Sequence, residues 1–299
     1  MIPQQIKYYK NWLQQENYKS FYLSLLRVAI SLWLLKEVCL NWSSMDILYG
    51  DSVYVIPKNT IINRLPGGIL FVREYFMWFV IPYIAIILLN ILGIGRWFTA
   101  LILFAMVYVL QQMNMYFNNG GDKLAKLILL YLIFANSYEY FVLIKHKYID
   151  PEKKKLLNLV SNLAAFSIML QLCLSYFLSG LGKINNPVWW QGEATYYALS
   201  MERFLGTPLN KYIVEYKWMN VLSNYAVITF ELLFPFLIWI KKIRKSLLVA
   251  GLLFHLCIYI FLMIYGFQIV FLLTYGLFLP NASWTKIKGK PGFLGFVKL

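Results

Sequence analysis

Between Tyr176 and Tyr197 the sequence reads YFLSGLGKINNPVWWQGEATYY, an apolar run that closes in small residues, a lysine, two asparagines and a pair of tryptophans. A lysine at the edge of such a run loses hydration, so its ammonium must reach an interface, find a partner or give up its proton. The last course makes Lys183 a base. Ser179-Gly180-Leu181-Gly182 just before it permits close approach of another helix, and Asn185, Asn186 and Pro187 break the helix after it. Small residues, a lysine and a helix break together describe the edge of a pocket. Trp189, Trp190, Tyr196 and Tyr197 suit such an edge, and equally suit an aromatic belt at a bilayer interface.

Other polar residues interrupt apolar sequence. His255 lies deep in Leu252-Leu253-Phe254-His255-Leu256-Cys257, where an ionisable group is either functional or bonded to a neighbouring helix. In Asn118-Asn119-Gly120-Gly121-Asp122 the aspartate reads as a helix N-cap, and at a pocket mouth it can also orient a ligand or pair with Lys183. Arg27 and Glu231 are costly unless they face the interior, so a mutual or water-mediated pair is expected. Lys36, Glu37 and Glu139 lie near run ends and can snorkel. His146, the other histidine, reads as a solvated loop residue, and no CxxC or Cys/His spacing suggests a metal site. Cys39, Cys173 and Cys257 read as small buried hydrophobes, not a disulfide framework.

A membrane must position these residues. Of the 299 residues 60% are hydrophobic and 14% charged, with mean hydropathy +0.60, where a soluble domain carries roughly 25% charged residues. Apolar runs on the order of 17–25 residues recur, near 20–40, 75–95, 97–117, 124–144, 160–182, 221–240, 246–263 and 265–280, the last two joined by a Tyr265-Gly266-Phe267-Gln268 turn. The predicted fold is all-α, a polytopic integral membrane bundle of about eight transmembrane helices. An interfacial segment over 1–19 precedes a membrane domain over 20–280 and a cytoplasmic tail over 281–299. Met1–Tyr18 lacks the apolar core and cleavage site of a signal peptide. Asn41–Glu74 and Lys183–Asn220 form an outer rim too small for a separate domain.

Basic residues set the orientation, because cytoplasmic loops retain positive charge. With the N-terminus inside, the inner segments hold 17 of the 28 lysines and arginines and the outer segments nine. Both termini are thus expected on the cytoplasmic side of the cell membrane, with Lys183 on the extracytoplasmic side. The net charge of +15 becomes a topology signal, and scattered basic residues favour a lipid bilayer over nucleic acid as partner.

The Lys183 segment resembles the signature of the HTTM superfamily, bacterial multi-pass proteins related to the membrane part of vitamin K-dependent γ-glutamyl carboxylase. That signature is an aromatic-rich helix, Ala/Ser-Gly-X-X-Lys-hydrophobic, a short polar gap, Trp, X, Gly and then tyrosines. Here it stands as Ser179-Gly180-Leu181-Gly182-Lys183-Ile184, Trp189 or Trp190, Gly192, Tyr196 and Tyr197. Phe254-His255 with Gly266-Phe267, Leu25-Leu26-Arg27 and Asn119-Gly120-Gly121-Asp122 are supporting matches.

The resemblance implies that Lys183 acts as base toward a reduced quinone of vitamin K or menaquinone type. Oxygen then converts the hydroquinone to a stronger base, which takes the γ-proton of a peptide glutamate before CO2 adds. Lys183 and His255 are on this reading the candidate catalytic residues. Asn119, Asp122, Tyr176, Trp189, Trp190 and Gln268 are the candidate cofactor-binding residues, Arg27 and Glu231 are structural polar residues, and no metal is implied. The chain's size departs from the carboxylase, which holds its protein substrate with a large extracytoplasmic domain. It is closer to a short bacterial branch, the sporulation-delaying-protein B family, whose members act with a small partner protein in maturing a secreted peptide toxin. The expected function is therefore modification or maturation of a secreted peptide, with quinone-dependent glutamyl carboxylation as the alternative. A transporter would need paired broken helices, which the sequence does not display. A non-catalytic scaffold or immunity protein would tolerate loss of Lys183. If Lys183 is a base, Lys183→Ala should abolish product with stability nearly unchanged.

The charge asymmetry yields a labelling test. In a variant lacking Cys39, Cys173 and Cys257, a cysteine at Asn185 should react with a membrane-impermeant maleimide from outside the cell. A cysteine at Ser283 should react only after the membrane is opened, and outside labelling at both positions would exclude the eight-span arrangement.

Overall fold

A computed structural model describes residues 4–50, 68–114, 116–144, 150–264, 266–281 and 283–284. The expectations for His146, Tyr265 and most of the 281–299 tail lie outside the described residues. Helices and short 3-10 turns make up the ordered elements, and no strand occurs among the described residues. The chain divides into two compact units, Met1–Ile168 with Leu279–Leu299, and Met169–Phe278.

The first unit runs through α1 (Gln4–Gln15), α2 (Ser20–Leu40), α3 (Met45–Tyr49), α4 (Gly68–Glu74), α5 (Phe76–Leu92), α6 (Trp97–Met113) and α7 (Gly120–Phe134), and α8 (Pro151–Ile184) begins in it. α2 packs on α5 and α7, and α6 packs on both α5 and α7. Leu23, Leu26, Ile30, Ile87, Leu103 and Ile128 meet in the core, each wholly excluded from solvent. α1 has no buried residue.

Arg27 is buried in this apolar core, and the chain around it is shaped to hold its charge. Its Nε donates to Ser137 O at 3.0 Å and Nη2 to Phe141 O at 2.7 Å and Tyr140 O at 3.4 Å. Nη1 donates to Ile91 O at 3.0 Å and to Asn90 O. All five guanidinium donors therefore face carbonyls. Two of these, Asn90 O and Ile91 O, belong to the last turn of α5, beyond the reach of the regular helical ladder; Gly93 N–H also donates to Asn90 O at 3.2 Å. The other three come from the irregular stretch after Phe134, so the expected 124–144 span is corrected: helix α7 stops at Phe134, and beyond it Ser137, Tyr140 and Phe141 turn their carbonyls to Arg27.

In the second unit α8 continues to Ile184 and is followed by α9 (Pro187–Trp190), α10 (Ala194–Ser200), α11 (Leu209–Glu215), α12 (Lys217–Leu237), α13 (Arg244–Leu262) and α14 (Phe267–Tyr275). α10 rests on α11, α12 and α13, and α13 also packs on α12 and α14. Leu172, Phe234, Ile238 and Val270 are the closed centre. Asn186 starts α9 by accepting from Val188 N–H at 3.0 Å, with Pro187 at the first helical position, where its missing donor costs nothing.

Every one of the eight apolar runs carries a helix. Among the described residues three helices, α8, α12 and α13, are long and apolar enough to cross a membrane, against the eight spans expected; α5, α6 and Phe267–Phe278 are apolar but shorter. α2 has 21 residues but includes Arg27, Lys36 and Glu37. The cysteines are free, and the expectation that all three are buried is corrected: Cys173 is buried, whereas Cys39 and Cys257 lie on exposed faces of α2 and α13.

Replacing Arg27 by Met should destabilise the protein by on the order of 3 kcal/mol or more, because several buried carbonyls lose their donors together. Arg27→Lys should fall between, since an ammonium has three donors and cannot span the fork. Thermal unfolding in lipid nanodiscs checks both, and an unchanged midpoint for Arg27→Met would remove this role.

Candidate functional site

Lys183 takes the second of its three courses and finds a partner. Its Nζ donates to Glu231 Oε2 at 2.6 Å, Glu231 Oε1 at 2.8 Å and Ser179 Oγ at 2.7 Å. The Lys183 side chain is 16% exposed and that of Glu231 is 7% exposed. The expected Arg27–Glu231 pair is corrected accordingly: Arg27 is satisfied by carbonyls, and Glu231 holds Lys183.

Local sequence explains why α8 and α12 meet here. A Cβ on Gly180 would stand 2.9 Å from Leu232 Cδ2 and 3.3 Å from Glu231 Cβ, so only glycine admits α12 this close one turn before Lys183. Gly182, by contrast, faces open space, so the small-residue signal belongs to Gly180 alone. Pro235, four residues after Glu231, cannot donate to the Glu231 carbonyl, which loosens α12 at the residue that carries the acid. Beyond the helix break, Trp189 places its ring under the ammonium at 5.0 Å, the geometry of a cation–π contact. Asn224 donates to Trp189 O at 2.7 Å and Tyr225 to Trp190 O at 2.7 Å, fixing α9 on α12. Trp190 itself is 63% exposed.

A second polar chain lies in the same unit. Tyr176 Oη is 2.6 Å from His255 Nε2 and 2.6 Å from Tyr275 Oη. A hydroxyl has one proton, so Tyr176 donates to one neighbour and accepts from the other. Tyr176 and Lys183 stand seven residues apart on α8, two turns along one face. Gly251, one turn before His255, makes room for Tyr275: a Cβ there would meet its Oη at 2.2 Å. The rings of Phe254, Phe267 and Phe271 stand within 5.8 Å of the imidazole. His255 Nδ1 and both polar atoms of the Gln268 amide are buried without a partner among the described residues. Tyr275 and Gly251 escaped the sequence reading; the only signal was spacing, with Gly251 four before His255 and Tyr275 seven after Gln268.

Asn119 and Asp122 lie in the first unit and form a capping box. Asn119 Oδ1 accepts from Gly121 N–H at 2.7 Å and Asp122 N–H at 3.2 Å, while Asp122 Oδ2 accepts from Asn119 N–H at 2.7 Å. Asn119 is thus the N-cap, a role the sequence reading gave to Asp122. Burial pushes the Asp122 carboxyl up to about 6, opposed by the Asn119 backbone donor and assisted by the Glu37 charge. Lys36 and Glu37 pair with each other at 2.6 Å. Glu139 accepts from Asn136 Nδ2 at 3.1 Å and Asn17 Nδ2 at 3.5 Å.

No family model matches the chain, and no solved structure matches it. Among curated proteins it is similar to the sporulation-delaying protein SdpB of Bacillus subtilis (strain 168), with 27% identity over 267 residues, covering 83% of this chain and 75% of that protein.

The pairing corrects the expectation that Lys183→Ala leaves stability nearly unchanged. Removing the ammonium strands a buried carboxylate, and the loss should be about 3–5 kcal/mol. The double change Lys183→Met with Glu231→Leu should recover most of it, because no charge is then left unpaired. Equilibrium unfolding of both single variants and the double variant measures the coupling, and additive losses would show that the pair contributes nothing.

Proposed function

We infer that this chain is a multi-pass membrane protein, spanning the bilayer about eight times with both termini in the cytoplasm, that takes part in maturing or modifying a secreted peptide. The similarity to SdpB supports that setting. The observation that carries a chemical role is the Lys183–Glu231 pair, an ammonium and a carboxylate in direct contact with little exposure. Such a pair can hold a proton on either partner at small cost in separated charge, so proton transfer is assigned to the pair and not to Lys183 alone. Glu231 receives the proton of Lys183 when a substrate group approaches the amine, and returns it afterwards. Ser179 Oγ also touches the amine, and in this arrangement it orients Lys183.

A shallow, open depression lined by Glu215, Tyr216, Lys217, Trp218, Val221, Leu222 and Tyr225 runs along α12, the helix that carries Glu231. Its aromatic, apolar walls suit an extended peptide segment with large side chains. For a reduced quinone, which the family resemblance implies, polar partners are present in His255 Nδ1 and the Gln268 amide. The space is not: Phe254, Phe267, Phe271 and Tyr275 close around the imidazole. No step is therefore assigned to a quinone.

Lys183→Arg separates chemistry from staple. A guanidinium can rejoin Glu231 and so keep the fold, but it does not release a proton at ordinary pH. Mass spectrometry of peptides in the medium should find a product in cells with the native chain that is absent with Lys183→Arg at equal protein level. Full product from that variant would assign the pair a structural role only.

A further inference from the structure

Helix α1 is fastened at its end and bare along its length. Carbonyls at the end of a helix have no partner of their own, and here α8 supplies one. Asn162 Nδ2 donates to Leu13 O at 2.9 Å and Glu16 O at 2.8 Å, and Asn158 Nδ2 donates to Gln14 O at 3.1 Å and Gln15 O at 3.3 Å. Asn162 Oδ1 also accepts from Tyr18 N–H at 3.0 Å, so both ends of that amide are used. Both asparagines are buried. The ring of Tyr18 stacks on Trp12, with centroids 4.4 Å apart. Within α1 itself no residue is buried.

Ile6, Tyr9, Trp12 and Leu13 stand at i, i+3, i+6 and i+7, an apolar stripe on one side of the helix, with Lys7, Lys10, Asn11 and Gln14 on the other. The stripe is open: Ile6 is 56% and Tyr9 62% exposed. Length bears on what covers it. α1 has 12 residues, and isolated helices below about 12–15 residues are marginal in water, so this one needs a surface to lie on. At about 1.5 Å per residue it is roughly 18 Å long, too short for the roughly 30 Å of hydrocarbon that a span must cross. The place of the clamp bears on it too. α8 opens on Glu152, Lys153, Lys154 and Lys155 and turns apolar at Leu156, and Asn158 and Asn162 lie in the first two turns beyond. The end of α1 is therefore held where a helix long and apolar enough to cross a membrane leaves its charged end behind. Charge decides the kind of surface. α1 carries two exposed lysines and no acid, with Glu16 just past its end, and lysine stems beside an apolar stripe let the ammonium groups reach phosphates above the acyl chains.

We propose that α1 lies in the headgroup layer of an anionic membrane surface, with Ile6, Tyr9 and Leu13 toward the acyl chains and Lys7 and Lys10 on lipid phosphates. Asn158 and Asn162 fix its end to the first turns of α8. This goes beyond peptide maturation and is independent of Lys183 and Glu231; it rests on the membrane reading alone, which the experiment tests separately.

The experiment is EPR on the full chain in nanodiscs, with the native cysteines replaced and a nitroxide attached at Tyr9→Cys, Asn11→Cys or Leu256→Cys. Relaxation by oxygen, which concentrates among acyl chains, is compared with relaxation by a water-soluble nickel chelate. In discs containing phosphatidylglycerol, Tyr9 should be oxygen-rich and Asn11 nickel-rich. Pure phosphatidylcholine should shrink that contrast. In the phosphatidylglycerol discs Lys7→Gln and Lys10→Gln should each lower the bound-to-free ratio of α1 by about fivefold. Nickel access at Tyr9 equal to that at Asn11 would put α1 in water and overturn the proposal. Shielding of Tyr9 from both reagents would mark a protein contact and overturn it too, as would the same contrast in both lipids. Leu256, exposed on α13, is the control: an oxygen-rich label there beside a nickel-rich Tyr9 defeats the α1 assignment alone, whereas a nickel-rich Leu256 defeats the membrane reading beneath it.

Discussion

An ion among apolar helices must be solvated by protein, and both units of this chain are arranged around that constraint. Arg27 is the most demanding case. Its five donors require five acceptors where side chains are hydrocarbon, and backbone carbonyls are the available source. Helix carbonyls are free only in a last turn, so α5 must end beside Arg27 and the chain after α7 must stop being helical to supply the rest.

The second unit meets the same constraint with a counter-ion, and the difference matters for function. A guanidinium locked onto five carbonyls is a structural ion, because none of its acceptors can take a proton. A lysine locked onto a glutamate has a partner that can. The contact depends on Gly180, which lets α12 approach, on Pro235, which loosens α12 near Glu231, and on Trp189, which covers the ammonium from beyond the helix break. Tyr176, His255 and Tyr275 form a hydrogen-bonded chain of exchangeable protons in the same unit. Their hydroxyls and imidazole are satisfied by one another save for His255 Nδ1, which together with Gln268 marks the least settled part of that core.

Residue type and order by themselves determined the apolar composition, the all-helical class and the position of a helix in each apolar run, and they singled out Lys183, His255, Arg27 and Glu231 as polar groups in apolar sequence. These are local or compositional facts: burying a charge is costly wherever the chain goes, and a long apolar run has to satisfy its backbone within itself. Partner choice was not legible. Arg27 and Glu231 read as natural complements by charge, yet Arg27 took carbonyls and Glu231 took Lys183, because which helix faces meet depends on contacts such as Gly180 against Leu232. The Asn119–Asp122 cap was half legible, since its residue types announce a helix start while the division of roles between them depends on the backbone turn. The stop of α7 at Phe134 was not read, although Asn136, Ser137 and Glu139 interrupt the apolar run there; that Ser137, Tyr140 and Phe141 turn their carbonyls to Arg27, more than a hundred positions earlier in the chain, is decided by tertiary contact. Gly180 gave no more signal than Gly182, because which of two small residues faces a neighbouring helix is a property of packing, and packing is decided by tertiary structure alone.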